Sequence, residues 1–277
     1  MNTLSARERL NQAIGELGIA AKKSLGQNFL VSDHVIDKII EQVIAFKPQK
    51  LIEVGPGPGA LTDKLIELKV PIQLLELDSV IADYWRKKNM NVLEVDALKH
   101  EWAEFYGAEK IVLVSNLPYQ ISSSIVIDRS LENPGLENMV LMFQKEVAQR
   151  IKAQARSDAY GLLSVIAQTF WFIETVVDAG PKDFDPAPKV ASRVLAFTRQ
   201  DNLITNRRGF LQFVKEAFAQ RRKLLKSNLR TWMGSRRIEE QLLIDWLAKK
   251  GFKETARAEE LSPKQFVELY EYFNHPR

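Results

Sequence analysis

The chain has 277 residues, 45% hydrophobic and 27% charged, enough for one large domain and a smaller one around an ordinary soluble core. It contains no cysteine, which excludes disulfides, thiolate metal sites and a thiol nucleophile and fits a reducing compartment such as the cytoplasm. No stretch of about eighteen apolar residues occurs, so no membrane span is expected. The first eighteen residues mix acids with bases and lack an apolar run, so no signal or transit peptide is read there.

In chain order, short β-branched runs alternate with helical patterns from about Lys50 to Arg199. Strands are expected at Lys50–Val54, Ile72–Leu77, Asn91–Asp96, Lys110–Asn116 and Asn138–Phe143, with Thr175–Asp178 and Arg193–Thr198 adding two more. Helices are expected between them, for example over Ala60–Leu68, Ser79–Lys88 and Ser122–Leu131. Alternation at this spacing predicts an α/β fold, a mostly parallel sheet with helices on both faces. Ligands of such sheets bind at the carboxyl ends of the strands. After Arg199 the pattern becomes helical, with Phe210, Phe213, Val214, Ala217 and Phe218 at helical spacing, Gly251 as a helix cap and Ser262-Pro263 starting a last helix. The expected division is therefore a catalytic domain over residues 1–200 and a small all-helical domain over residues 201–277.

Charge follows that division. Residues 1–198 hold 22 Lys+Arg against 25 Asp+Glu, a net of −3, and residues 199–277 hold 17 against 10, a net of +7. Ten bases and a single acid, Glu216, fall within Arg207–Arg237. Such a block suits a polyanion, because each neutralised phosphate releases condensed counterions, and it also suits a solvated helix face. The three histidines, His34, His100 and His275, show no metal-ligand spacing, so no metal is expected.

The first strand runs through Glu53-Val54 into Gly55-Pro56-Gly57-Pro58-Gly59-Ala60. Glycine there lets the backbone turn sharply and approach a ligand closely. The loop alone also satisfies a dinucleotide fingerprint. Glu76, about twenty residues on, can accept hydrogen bonds from ribose hydroxyls, and Asp96 at the next strand end can accept one from an adenine amino group; Leu77 and Ala97 adjoin them. Acids at three successive strand ends favour a sulfonium cofactor with a cationic amino acid tail over a pyrophosphate. The fourth strand delivers Asn116-Leu117-Pro118-Tyr119 to the same rim. An amide oxygen and a backbone carbonyl can there accept the two hydrogens of an exocyclic amine, Pro118 fixes the backbone, and Tyr119 offers a stacking face for a base.

The Asn116–Tyr119 tetrapeptide resembles the catalytic motif of the adenine-N6 methyltransferases. Three further segments narrow the resemblance: Lys22–Leu30 with its Gln27-Asn28-Phe29-Leu30, Phe184–Val190, and Phe218–Leu225 with its Gln220-Arg221-Arg222-Lys223. In this order they resemble the KsgA-type ribosomal RNA adenine dimethyltransferases from about Lys22 to the end of the chain. Gln120 departs from the Asn more usual after the Tyr. The resemblance implies a Rossmann-like S-adenosylmethionine methyltransferase domain with a seven-stranded sheet. It implies donor contacts from Gln27, Asn28, Leu30, Gly55, Gly57, Glu76, Leu77, Asp96, Ala97 and Asn116, and catalysis by Asn116, Leu117, Pro118, Tyr119 and Phe184, with Phe184 closing on the second face of the adenine. It further implies RNA contacts from Lys189, Arg221, Arg222 and Lys223, and a monomeric cytoplasmic enzyme acting on two adjacent adenosines of small-subunit rRNA during subunit assembly. The rivals are an Erm-type enzyme acting on large-subunit rRNA, a non-catalytic RNA-binding relative, and a nicotinamide dehydrogenase. The last would leave Asn116–Tyr119 and Phe184 without a role.

Overall fold

The structure, a computed structural model, describes residues 4–18, 28–132, 135–202 and 204–274. Nine strands and eleven α-helices occur among them. The strands are β1 (Phe29–Leu30), β2 (Lys50–Val54), β3 (Ile72–Glu76), β4 (Val92–Glu94), β5 (Ile111–Asn116), β6 (Leu136–Gln144), β7 (Trp171–Ala179), β8 (Phe184–Asp185) and β9 (Ser192–Arg199). The helices are α1 (Ala6–Leu17), α2 (Asp33–Ala45), α3 (Thr62–Glu67), α4 (Ser79–Lys87), α5 (Ser122–Leu131), α6 (Lys145–Ile151), α7 (Leu162–Phe170), α8 (Arg207–Ala217), α9 (Leu225–Gly234), α10 (Glu240–Lys249) and α11 (Pro263–Asn274). None is long and apolar enough to cross a membrane.

Seven strands form one sheet in the order β4-β3-β2-β5-β6-β9-β7. The pairs β2/β3, β2/β5, β3/β4 and β5/β6 are parallel, and β6/β9 is antiparallel. Parallel strands covered on both faces read as continuous apolar runs, which is why β2, β3 and β5 are almost wholly buried. From β2 the chain runs outward to β3 and β4, then returns to add β5 on the other side. That reversal opens a crevice at the carboxyl ends of β2 and β5, the position where such sheets bind ligands.

The helices are cut to cover this sheet. Helix α2 buries Val35, Ile36, Ile39 and Val43, spaced along one face, in a core shared with Val112, Val114, Val140 and Met142 of β5 and β6. Helix α4 starts at Asp78, whose carboxylate accepts from the amides of Val80 and Ile81 at 2.9 and 3.4 Å, a cap typically contributing about 1 kcal/mol. It buries Ile81 and Trp85 against Leu74 and Ala13.

The chain divides into two compact units, Met1–Ala148 with Phe172–Arg199, and Gln149–Trp171 with Gln200–Arg277. This differs from a single cut near residue 200: Gln149–Trp171, which carries α7, clusters with the C-terminal helices. In that second unit Phe210, Phe213, Trp232, Phe266, Tyr270 and Phe273 are buried together, with Phe213 and Trp232 ring centroids 4.9 Å apart. The tract expected to be helical throughout is interrupted between α8 and α9. Asn228 of α9, nearly buried, donates to the carbonyls of Ala217 and Gln220 at 2.7 and 3.0 Å. It thus satisfies the last carbonyl of α8, which lacks a helical partner, and ties the following turn to α9.

Candidate functional site

A cavity of about 100 Å³ lies at the rim of β2, β3 and β5, lined by residues from Asn28–Leu30, Glu53–Leu61, Glu76, Ile81 and Asn116–Tyr119. Its floor is the glycine loop. Gly55, Gly57 and Gly59 all have positive φ, at 67, 53 and 106°. At Gly59 a Cβ would come within 3.0 Å of Trp85 and of the Asp63 carboxylate, so strain and space both exclude a side chain there. The Trp85 indole N–H donates to the Gly57 carbonyl at 2.9 Å, fixing the loop from beneath.

The cavity is strongly acidic on one side. Glu53, 2% exposed, is raised by burial to about 8, with the Asp63 and Glu76 charges pushing the same way and Thr62 opposing. Its Oε2 is buried with no hydrogen-bond partner among the described residues. A buried polar atom left in this state is costly, and a cationic ligand group would relieve the cost. Glu76, 8% exposed, is also raised by burial, but the backbone N–H groups of Asp78, Leu77 and Gly57 pull it the other way. Its Oε1 accepts from Leu77 and Asp78 at 2.8 and 2.9 Å, which orients the carboxylate. Glu53, part of the acidic sequence pattern but not among the expected donor contacts, therefore joins the site. So do Phe29, Leu61 and Ile81, apolar residues that carry no signal beyond their place in the loop and helix.

The other expected donor residues fall around this cavity in different ways. Asn28, Leu30, Gly55, Gly57, Glu76 and Asn116 line it. Gln27 lies outside the described residues. Asp96 and Ala97 sit just beyond β4; the Val95 amide donates to the Glu76 carbonyl at 2.9 Å, which sets them beside Glu76 at the rim. Asp96 caps its own turn, accepting from the Leu98 amide at 2.9 Å, and neither residue is among those lining the cavity. Leu77 is 69% exposed, an apolar side chain left in solvent next to the Glu76 carboxylate.

On the opposite side stands Asn116, the last residue of β5. Its Nδ2 donates to the Asn28 carbonyl at 3.4 Å, leaving the amide oxygen as the group on offer. The next turn uses its own carbonyls, since Pro118 accepts from the Ile121 amide at 3.1 Å and Tyr119 from the Ser122 hydroxyl at 3.0 Å. Tyr119 is half-buried, and its hydroxyl lies 3.3 Å from Ser192 Oγ.

Two expected segments distant in sequence meet here. Phe29 and Leu30 pair antiparallel with Asp185 and Phe184, and the Val31 amide donates to the Asp183 carbonyl at 2.8 Å. Phe184 itself is 3% exposed and packs in the core cluster with Leu30, Ala179 and Val194, not among the residues lining the cavity. The expected RNA contacts Lys189, Arg221, Arg222 and Lys223 are all exposed. Arg221 is already engaged: its guanidinium bonds Glu259 at 3.0 Å and the carbonyls of Asp158 and Ser157 at 2.6 and 3.4 Å. It ties the Gln149–Trp171 segment to the helices, and the Gln220–Lys223 run is a turn between α8 and α9 rather than part of a helix. Among the described residues no cluster of His, Cys, Asp and Glu could hold a metal.

Comparison with known proteins agrees with this geometry. The profile of the ribosomal RNA adenine dimethylase family matches residues 18–275. The chain is 65% identical over 268 residues to the ribosomal RNA small subunit methyltransferase A of Bdellovibrio bacteriovorus, covering 97% of this chain and 98% of that one. It is 35% identical over 261 residues to the protein of that name from a Sulfurihydrogenibium species, covering 91% and 96%. Among solved structures it resembles a dimethyladenosine transferase from Plasmodium falciparum (TM-score 0.72, 25% identity, 88% and 97% covered). It also resembles the 23S rRNA methyltransferase ErmE (TM-score 0.65, 25% identity, 90% and 100% covered). The sheet order is that of a Rossmann-like methyltransferase fold, and the chain belongs to the ribosomal RNA adenine dimethylase family.

Proposed function

We propose that the protein transfers methyl groups from S-adenosylmethionine to N6 of two adjacent adenosines in the 3′-terminal hairpin loop of small-subunit rRNA, acting as a monomer in the cytoplasm on an assembling subunit. The observation that carries the reading is the pairing, across one small cavity, of a buried carboxylate with an unsatisfied oxygen, Glu53, with the amide of Asn116. When bound, S-adenosylmethionine supplies the methyl group as an electrophilic carbon on a cationic sulfur.

The residues present fit that donor. The glycine loop leaves room for close approach, Glu53 gives up its proton to face a cationic tail as a carboxylate, and the oriented Glu76 carboxylate suits a pair of ribose hydroxyls. Leu77 offers an apolar surface beside them for the adenine, and Asp96 an acceptor for its amino group. On the substrate side, the Asn116 oxygen and the Leu117 carbonyl accept the two N6 hydrogens. This holds the amine in line and favours its pyramidal form, in which the lone pair is no longer delocalised into the ring. Tyr119 stacks on the extruded base, which an unpaired loop yields at little cost. The proton on N6 leaves to water, so rate acceleration rests on alignment rather than on a general base. A monomethylated N6 keeps one hydrogen, so the second transfer proceeds with one of the two acceptors idle.

Phe184 enters this scheme with a condition. Stacking on the second face of the adenine requires its ring to leave the packing with Leu30. RNA phosphates are met by Lys189, Arg222 and Lys223, while Arg221 holds the fold.

The test is transfer of labelled methyl groups to small subunits lacking the modification. Label is expected in dimethyladenosine near the rRNA 3′ end, and label confined to large-subunit RNA would move the reading to the Erm type. Asn116→Ala is expected to abolish transfer while leaving donor affinity within about tenfold, since the donor keeps its other contacts. Near-normal turnover in that variant would overturn the mechanism.

A further inference from the structure

Resting on that reading of Tyr119, we propose that Ser192 is a positioning residue for the reaction, and that it matters more for the second methyl transfer than for the first. Ser192 is the first residue of β9 and is fully buried. Because β9 runs antiparallel to β6, with Ser192 opposite Gln144, its start lies at the same rim where β5 ends at Asn116 opposite Met142. Two strand spacings, about 10 Å, separate β5 from β9. Tyr119 spans that gap, and its hydroxyl meets Ser192 Oγ at 3.3 Å.

The serine is held from both sides. The preceding Ala191 carbonyl accepts from the Lys145 amide at 2.9 Å. The following Arg193 guanidinium grips Asp178 through Nε and Nη2 at 2.5 and 2.9 Å, and Lys145 Nζ reaches the same carboxylate at 3.0 Å. A buried hydroxyl needs a partner, and here the partner is the phenol of the residue that forms one wall of the base pocket. Ser192 is also where the chain that leaves β8 after Phe184–Asp185 re-enters the sheet, so one residue links that segment to the Asn116–Tyr119 turn.

The consequence lies in the order of the two transfers. An unmodified amine is aligned by two hydrogen bonds as well as by stacking. A monomethylated amine has lost one of those hydrogen bonds, so its alignment depends more on the orientation of the Tyr119 ring. Removing the Ser192 hydroxyl loosens that ring and should act chiefly on the second step. A neutral hydrogen bond of this kind changes an equilibrium by about two- to tenfold, which sets the expected size.

The experiment is single-turnover methylation of unmodified small subunits by the full-length protein, with monomethyl- and dimethyladenosine separated. Ser192→Ala and Tyr119→Phe are each expected to slow the second transfer by about two- to tenfold, with the first transfer and donor affinity changing less, so that monomethyladenosine accumulates. The double variant should be no worse than either single one, because both remove the same bond. Equal slowing of the two steps, effects that multiply in the double variant, or a native product ratio in Ser192→Ala would overturn the proposal. If Ser192→Ala fails to fold, Tyr119→Phe alone decides by the same ratio. Tyr119→Ala separates the two readings. A large loss there alongside native behaviour in both hydroxyl variants sinks only the role of Ser192, whereas native transfer in Tyr119→Ala sinks the stacking role of Tyr119 itself.

Discussion

In the unit built on the sheet, ionisable side chains are buried: Glu53, Glu76 and Arg129 are all below 9% exposure. In the helical unit the buried polar residues among those described are Ser164, Thr169 and Asn228, none of them charged, and the bases of Arg207–Arg237 are carried largely outside an aromatic core. Taking a carboxylate out of water costs several kcal/mol unless something repays it. In the sheet unit Glu53 avoids that cost by keeping its proton, and a cationic ligand in the cavity would favour its ionised form. The helical unit keeps its bases at the surface, where contact with a polyanion would release counterions without desolvating a charge.

The comparison can be tested by breaking each side in turn. The largest effect is expected from Phe213→Ala, which removes a fully buried ring packed on Trp232, Phe266, Tyr270 and Phe273. Loss of such a ring costs about 3–5 kcal/mol, measurable by chemical denaturation. A cost below about 1 kcal/mol would mean that this aromatic cluster does not hold the unit together.

Glu53→Gln should go the other way. With its carboxyl raised to about 8, the native fold keeps a proton that the unfolded chain releases near the ordinary carboxylate value. Stability therefore falls as pH rises between those two values. The amide variant removes that slope, so its advantage in melting temperature should grow from about pH 5 to about pH 8.5 while donor binding weakens. An advantage that does not vary with pH would show that Glu53 is ionised in the free protein.

The smallest effect should come from the exposed bases. Joint Arg222→Ala and Lys223→Ala substitution should weaken RNA binding and flatten its salt dependence by about 0.9 in logarithmic slope for each phosphate left unneutralised, with stability unchanged. Arg221→Ala should do the reverse, lowering stability with little change in salt slope. Equal salt slopes for the two variants would erase the distinction drawn between these neighbouring arginines.

Most of the sheet was legible in the sequence because buried parallel strands are nearly uninterrupted apolar runs. Lys50–Val54 matches β2 at both ends, and Ile72–Leu77 misses β3 only by Leu77. That the glycine loop, Glu76 and Asn116–Tyr119 share one cavity was legible because each lies at or just past a strand end, where this topology opens its crevice. What stayed hidden depends on partners far away in sequence. Nothing local in Gln149–Trp171 announces that it packs with the C-terminal helices. The aromatic spacing from Phe210 to Phe218 runs into the turn without a break, and it takes Asn228 to show where α8 stops. Ser192 reads as an ordinary start of a strand until the Tyr119 hydroxyl is placed beside it. The burial of Phe184 likewise follows from its pairing with Leu30.

That two-residue pairing has a consequence for synthesis. Phe29 and Leu30 leave the ribosome early, yet their partners Asp185 and Phe184 are made more than a hundred and fifty residues later. Contacts so far apart along the chain close late, after the entropy of a long loop has been lost. A nascent chain that already contains the glycine loop, Glu76 and Asn116 still has one wall of its cavity untethered. Translation products that stop short of Phe184 would therefore carry most of the residues that line the cavity without a finished pocket, which is complete only when the last sheet strands have been made.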